Sequence, residues 1–245
     1  TRNGHVLTDT IWKRRKIGLL AARLAIERGT YVTRRTITEE IWPGLDYAKA
    51  RENLYSTLST LRHALGQRKD GPQYIVTQGD GIAFNSEFVD CDVVRFGELA
   101  REILLGHFRM SSSQLISMCL KVESLYLGPL LVPDRCTIPY FTHMRHVLQT
   151  KFIDCMIRGV DVAIEEEDVN SALWMIEAAL RSEAGREDVV RRALQVYELA
   201  GRYSDVEEVY RMHREHLRRQ ADRAPEPETE RVYRQIEGRR LRYGA

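Results

Sequence analysis

Between Ile17 and Phe84 the hydrophobic period changes once, from about 3.6 to 2, and Pro43 and four glycines fix where each change of direction falls. Lys16 to Arg28 places Ile17, Leu20, Ala21, Leu24 and Ala25 on one face, and Gly29 supplies a stop. Thr33 can cap a short helix that buries Ile37 and Ile41 and must end at Trp42, because Pro43 excludes its predecessor from the helical region. Asp46 can cap a third helix with Ala50, Leu54, Leu58, Leu61 and Leu65 in register and Gly66 past its end. Two strand-like runs follow, 74–77 and 82–84, around Gln78-Gly79-Asp80-Gly81, whose glycines and aspartate suit a tight turn with positive φ.

That order is the order of a winged helix-turn-helix, with the third helix as reader and the hairpin as wing. From about residue 91 onward the pattern is helical throughout: 94–105, 114–126, 142–165, 169–181, 187–200, 204–219 and 228–241 carry the helical period between Gly, Pro or Ser breaks. Val169-Asn170-Ser171-Ala172 and Tyr203-Ser204-Asp205-Val206 lie 34 residues apart, the tetratricopeptide period, with Ala172, Ala178, Ala179 and Ala193 as small residues for close helix contact. Helix pairs of this kind stack to bury their apolar faces and leave a groove for a partner. The expected fold is therefore mainly α: a winged helix-turn-helix with a small hairpin over 1–90, then an all-α helical repeat domain over 91–245.

Charge follows the same division. Residues 1–69 hold 14 Lys or Arg against 6 Asp or Glu, a net +8. Residues 70–90 add four acids and no base, and 91–245 holds 23 bases and 25 acids. A basic reader joined to a near-neutral interaction module fits a DNA-binding protein, although a modest basic excess also fits ordinary solvated helix faces.

On a helical wheel with Leu54, Leu58, Leu61 and Leu65 inward, Lys49, Glu52, Ser56, Ser59, Thr60 and His63 point outward, with Arg51, Tyr55 and Arg62 on the flanks. Small hydroxyls and a carboxylate can bond base edges in a major groove, and a tyrosine ring can touch a thymine methyl. The same face is also compatible with plain solvation. Lys13, Arg14, Arg15, Lys16, Arg34, Arg35, Lys49, Arg51 and Arg62 are candidate phosphate anchors, which set affinity and register but not sequence. Gln78, Gly79 and Gly81 form the wing tip. Since no Lys or Arg lies between Asp70 and Asp90, insertion of an arginine into the minor groove is not expected, and the wing is expected to pair with residues near Thr10 to Trp12.

Enzyme chemistry finds no anchor. No phosphate-binding loop, nucleophile elbow or dinucleotide fingerprint follows a strand, and no cofactor is implied. His143 with His146, and His213 with His216, have one metal-ligand spacing but no completing set, so packed or solvated histidines and no metal site are expected. The run Glu165-Glu166-Glu167-Asp168 reads as a turn between helices. Cys91, Cys119, Cys136 and Cys155 lack a C-x-x-C pair and read as free thiols. No apolar run approaches the ~20 residues that cross a bilayer, so no membrane partner and a cytoplasmic location are expected.

The segments LLAARLAIERGTYVTRRTITEEIWPG (19–44), ARENLYSTLSTLRHALG (50–66) and IVTQGDGIAF (75–84) together resemble the winged helix of bacterial antibiotic regulatory protein (SARP)-type activators, relatives of OmpR-type effector domains. VDCDVVRFGELA (89–100), LYLGPLL (125–131) and APEPETERVY (224–233) are similar to landmarks of the bacterial transcriptional activator domain that follows it in that family. The resemblance implies a sequence-specific regulator that binds double-stranded DNA at promoter direct repeats, self-associates side by side there and contacts RNA polymerase. It selects Tyr55, Ser56 and Ser59 as base-reading candidates, with Glu52 beside them, and offers Pro43 to Asp46 and Lys13 to Lys16 as polymerase- or phosphate-facing surfaces. The family carries several strands before the first helix where this chain starts at Thr1, so a piece of a longer protein is expected. A different class remains open: a helical-repeat interaction or signal-receiving module whose winged helix docks protein and not DNA, favoured by the wing's lack of Lys or Arg and opposed by the basic first helix-turn-helix.

Overall fold

The computed structural model describes residues 10–106, 110–131 and 136–243. It separates into two compact units, one formed by 1–95 with 134–142 and the other by 96–133 with 143–245.

In the first unit a short 3-10 turn, Thr10–Lys13, leads into α1 (Arg15–Ile26). Strand β1 (Val32–Thr33) runs directly into α2 (Arg34–Ile41), because Thr33 is extended and its hydroxyl accepts from the Thr36 amide at 3.1 Å. Trp42 closes α2 ahead of Pro43, and Gly44 makes the left-handed turn at φ +86°. The Asp46 carboxylate then accepts from the Lys49 amide at 3.0 Å and starts α3 (Tyr47–Ala64). Leu20 and Leu24 of α1, Ile37 and Ile41 of α2, and Leu54 and Leu61 of α3 are fully buried. Burial of each such side chain contributes about 1.5–3 kcal/mol, which exceeds what the capping bonds supply.

Strands β2 (Ile75–Gln78) and β3 (Gly81–Phe84) make the wing, and the sheet order is β1-β3-β2, all antiparallel. Ile75 faces Phe84 and Gln78 faces Gly81, while Val32 faces Ile82 and Thr33 faces Gly81. The wing's outer partner is thus β1 and not the Thr10 to Trp12 segment, which is a 3-10 turn and presents no extended edge. The sequence expectation fails here because Val32 and the α2 cap Thr33 are already extended and lie beside the hairpin turn: the Arg34 amide donates to the Asp80 carbonyl at 3.0 Å. Gln67, one residue beyond Gly66, ties the exit of α3 to β2. Its side-chain amide receives the Ile75 N–H at 2.9 Å and donates to the Ile75 carbonyl at 3.2 Å, in the manner of a neighbouring strand.

Residues 134–142 complete this unit. Tyr140 stacks on the guanidinium of Arg23 at 3.7 Å and donates to Glu27 at 3.0 Å. Arg23 is 6% exposed and is held by Glu27 and by Glu40 at 2.7 Å. Burial raises the Tyr140 hydroxyl well above its ordinary range, against the opposing pull of Arg23.

The second unit is helical in its described residues: α4 (Asp92–Gly106, from Phe96), α5 (Ser112–Leu125), α6 (Pro139–Glu165, from His143), α7 (Val169–Ser182), α8 (Glu187–Leu199), α9 (Tyr203–Ala221) and α10 (Pro227–Tyr243). A capping box between Ser111 and Gln114 starts α5, and Asp168 caps α7 through the Ser171 amide at 3.1 Å. The acidic run before α7 is therefore a turn that ends in a cap, with Glu167 at φ +57°. Helices α7 and α9 begin 34 residues apart, and α8 packs against α7, α9 and α10, the neighbour pattern of stacked helix pairs. Gly159 of α6 lies where α5 and α7 approach: a Cβ there would stand 2.4 Å from Met175 Sδ and 3.0 Å from Cys119 Cβ.

A carboxylate from α8 caps α10. Glu187, 6% exposed, accepts from the Glu226 amide at 3.1 Å, from the Thr229 hydroxyl at 2.6 Å, and lies 3.2 Å from His213 Nε2. Pro227 at the first position of α10 has no N–H to satisfy, and Glu187 takes the amide just before it and the hydroxyl two residues after it.

Candidate nucleic-acid interface

The buried leucine stripe of α3 fixes which residues face outward. Lys49, Arg51, Glu52, Tyr55, Ser56, Ser59 and His63 are all exposed, and Arg62 is half-buried on the flank. Tyr55 is 49% exposed, far more than an aromatic ring placed for packing. The Arg51 guanidinium lies 5.9 Å over the Tyr47 ring, one turn earlier, and the Thr60 hydroxyl donates back to the Ser56 carbonyl at 2.9 Å, which leaves it only as an acceptor. A hydroxyl-rich strip carrying Tyr55, Ser56 and Ser59, with Glu52 above and cations on either side, can offer both donors and acceptors to base edges.

The candidate phosphate anchors divide into three groups. Arg14 and Arg15 are exposed at the start of α1, and Lys49, Arg51 and Arg62 surround the α3 strip. Arg35 is exposed but pairs with Glu39 at 2.9 Å one turn along α2. Lys16 and Arg34 turn inward. The Lys16 ammonium donates to the Ile41 carbonyl and sits 5.6 Å over the Trp42 ring, and burial, with Arg15 nearby, lowers its pKa. The Arg34 guanidinium reaches the wing turn, donating to the Gly79 carbonyl at 2.7 Å and lying 3.2 Å from the Asp80 carboxylate. The side chain of Lys13 lies outside the described residues.

At the wing tip Gln78, Gly79 and Asp80 are exposed, whereas Gly81 is buried under Tyr31: a Cβ at 81 would come within 2.8 Å of Tyr31 Cβ. Nothing in the sequence marks Arg34, Gln67 or Tyr140 as structural, since each is a polar residue whose partner lies far along the chain. Among the described residues the histidines do not assemble into a cluster. His143 and His146 are exposed on α6, His213 is 2% exposed beside Glu187, and no group of three metal-ligating side chains occurs among the described residues. No helix in those residues is long and apolar enough to cross a membrane.

Comparison with known proteins gives three findings. No curated protein matches the chain. The solved structure of Mycobacterium tuberculosis EmbR in complex with a low-affinity phosphopeptide superposes with a TM-score of 0.69 at 19% identity, covering 91% of this chain and 59% of that one, so the chain spans about three fifths of EmbR and shares its fold over that length. The bacterial transcriptional activator domain matches residues 91–237, more than half of the sequence. Among the described residues seven helices lie in or across that segment, which follows the winged helix in the chain, a SARP-like order. The chain belongs to the bacterial transcriptional activator domain family.

Proposed function

We propose that this chain is a sequence-specific DNA-binding transcriptional regulator that acts as an activator, with the reader over 1–90 and the helical domain over 91–245 as its interaction module. The observation that carries the reading is the exposed strip on α3, in which Tyr55, Ser56, Ser59 and Glu52 stand opposite the buried Leu54, Leu58 and Leu61. In this reading α3 lies in a major groove, Tyr55, Ser56 and Ser59 contact base edges, and Glu52 supports them. Arg14, Arg15, Lys49, Arg51 and Arg62 anchor phosphates, Arg35 and Lys13 lie at the margin of that set, and Gln78 and the Gly79 backbone approach the sugar-phosphate chain. Promoter direct repeats, side-by-side self-association and RNA polymerase are the partners, with the exposed Leu45 and Tyr47 beside Pro43 as a polymerase-facing patch.

Selection from a pool of randomised duplexes tests this. An enriched direct repeat that blurs when Tyr55, Ser56 and Ser59 are changed together to alanine supports it. Five phosphate anchors predict that log K falls with log salt at a slope of about −4.5. The acidic tip at Asp80 favours a second reading, in which the winged helix docks protein. Failure to enrich any motif at low salt, with weak salt-insensitive binding, selects that reading.

A further inference from the structure

Residue 34 grips the wing turn from two directions. Its backbone N–H donates to the Asp80 carbonyl at 3.0 Å, while one guanidinium nitrogen donates to the Gly79 carbonyl at 2.7 Å and lies 3.2 Å from Asp80 Oδ1. The side chain is 16% exposed, and its Nε is buried without a hydrogen-bond partner among the described residues. An arginine free to serve solvent or phosphate would not hold a buried donor unsatisfied; the bonds to the turn hold it in place. The turn needs holding. Gly79 adopts φ +55° with open space around it, and β2 and β3 are four residues each. A charged donor suits the task, since a single guanidinium nitrogen meets the turn's carbonyl and its carboxylate together.

We infer that Arg34 is a positioning residue that braces the wing against the start of α2, and is not a phosphate contact; the inference rests on the DNA-binding reading above. With Arg34 committed to Asp80 and no other base between Asp70 and Asp90, the wing brings no net positive charge to DNA. Its contacts come from Gln78 and backbone amides, whose usefulness depends on the turn being held at a fixed place relative to α3. Arg34 therefore sets geometry at the interface, and the cations of α1 and α3 supply the salt-dependent affinity.

The test uses the 245-residue chain with Arg34→Ala, Arg34→Lys and, as a phosphate reference, Arg62→Ala. Two quantities are read: amide hydrogen exchange at residues 34 and 79–81 in the free protein, and the salt slope of binding to the selected duplex. The expected result for Arg34→Ala is exchange about tenfold faster at those amides, affinity reduced several-fold, and a salt slope equal to wild type. Arg62→Ala lowers the slope by about 0.9. Arg34→Lys, which keeps the charge and one donor nitrogen, retains part of the protection at those amides with a wild-type salt slope. Unchanged exchange in Arg34→Ala, or a slope reduced by about 0.9, overturns the inference. If the wild type binds no duplex, the DNA-binding reading fails, and the exchange measurement alone still decides whether Arg34 braces the turn.

Discussion

Changing Thr229 to valine isolates the bond that joins the start of α10 to α8. The residue is fully buried, and valine fills nearly the same volume with the same branching, so no cavity forms. What is lost is a hydroxyl that donates to Glu187 Oε2 at 2.6 Å and lies 3.1 Å from Arg191 Nη1. A hydrogen bond to a charged acceptor contributes about 1.5–3 kcal/mol. Arg191 retains Glu226 at 2.8 Å, and Glu187 retains the Glu226 amide and His213, so the cost lies near 2 kcal/mol. The pH dependence has a definite sign. Burial alone would raise the Glu187 carboxyl, but the Thr229 hydroxyl, the Glu226 amide and His213 outweigh it and hold the pKa below the ordinary carboxylate range. A depressed carboxylate stabilises the fold above its unfolded pKa, about 4.3, and that contribution disappears as pH falls through the folded value. The gap between valine variant and wild type is therefore full at neutral pH and narrows below about pH 4. Native-state hydrogen exchange reads it: amides of α10 exchange roughly thirtyfold faster at pH 7, while those of α3, in the other unit, stay unchanged. A change below about 0.5 kcal/mol, or an equal change in α3, refutes the account of Glu187 as the cap of α10.

Gly159→Ala gains about 1 kcal/mol of helix propensity but sets a methyl 2.4 Å from Met175 Sδ and 3.0 Å from Cys119. Met175 is fully buried and Cys119 Cβ is close to its backbone, so overpacking wins and chemical denaturation shows a net loss of about 1–2 kcal/mol. Leu54→Ala, at a fully buried site, costs about 2–5 kcal/mol, and thermal melting followed at Trp12 and Trp42 shows the first unit destabilised. Burial pushes the Cys119 thiol up to about 12 and drives Cys155 upward as well, so at pH 8 a thiol reagent modifies the half-buried Cys91 first and leaves those two intact until the fold opens. Rapid native modification of Cys119 disproves that placement.

The elements were legible wherever a local signal sets them. Thr33 and Asp46 act as the caps that their side chains allow, Trp42 ends α2 ahead of Pro43, and the wing strands flank the Gly79-containing turn. The seven helices from α4 onward fall within a few residues of the positions that the apolar period marks. The third strand was not legible, because two residues carry no alternation and pair with a segment 50 residues away. The candidate surface was legible in part. The leucine stripe tells which way Tyr55 and Ser56 face, whereas the commitments of Lys16 to Ile41 and of Arg34 to Gly79 depend on tertiary approach, which a count of positive residues does not contain. Glu187 belongs with these: on a helical wheel it is one more first-turn acid, and only the packing of α10 makes it a cap.

The first unit draws residues 134–142 from far along the chain, and this bears on how the protein can be cut. A fragment ending at residue 90 keeps every element of the winged helix but loses Tyr140, leaving the ring-facing side of the Arg23 guanidinium bare against two carboxylates. Such a fragment is a weakened form of the winged helix, not its minimal form. A linker that returns a short peptide spanning 134–142 to the fragment supplies the missing face, and comparison of the two in melting temperature measures how much of the winged helix's stability is lent by sequence that lies inside the activator domain.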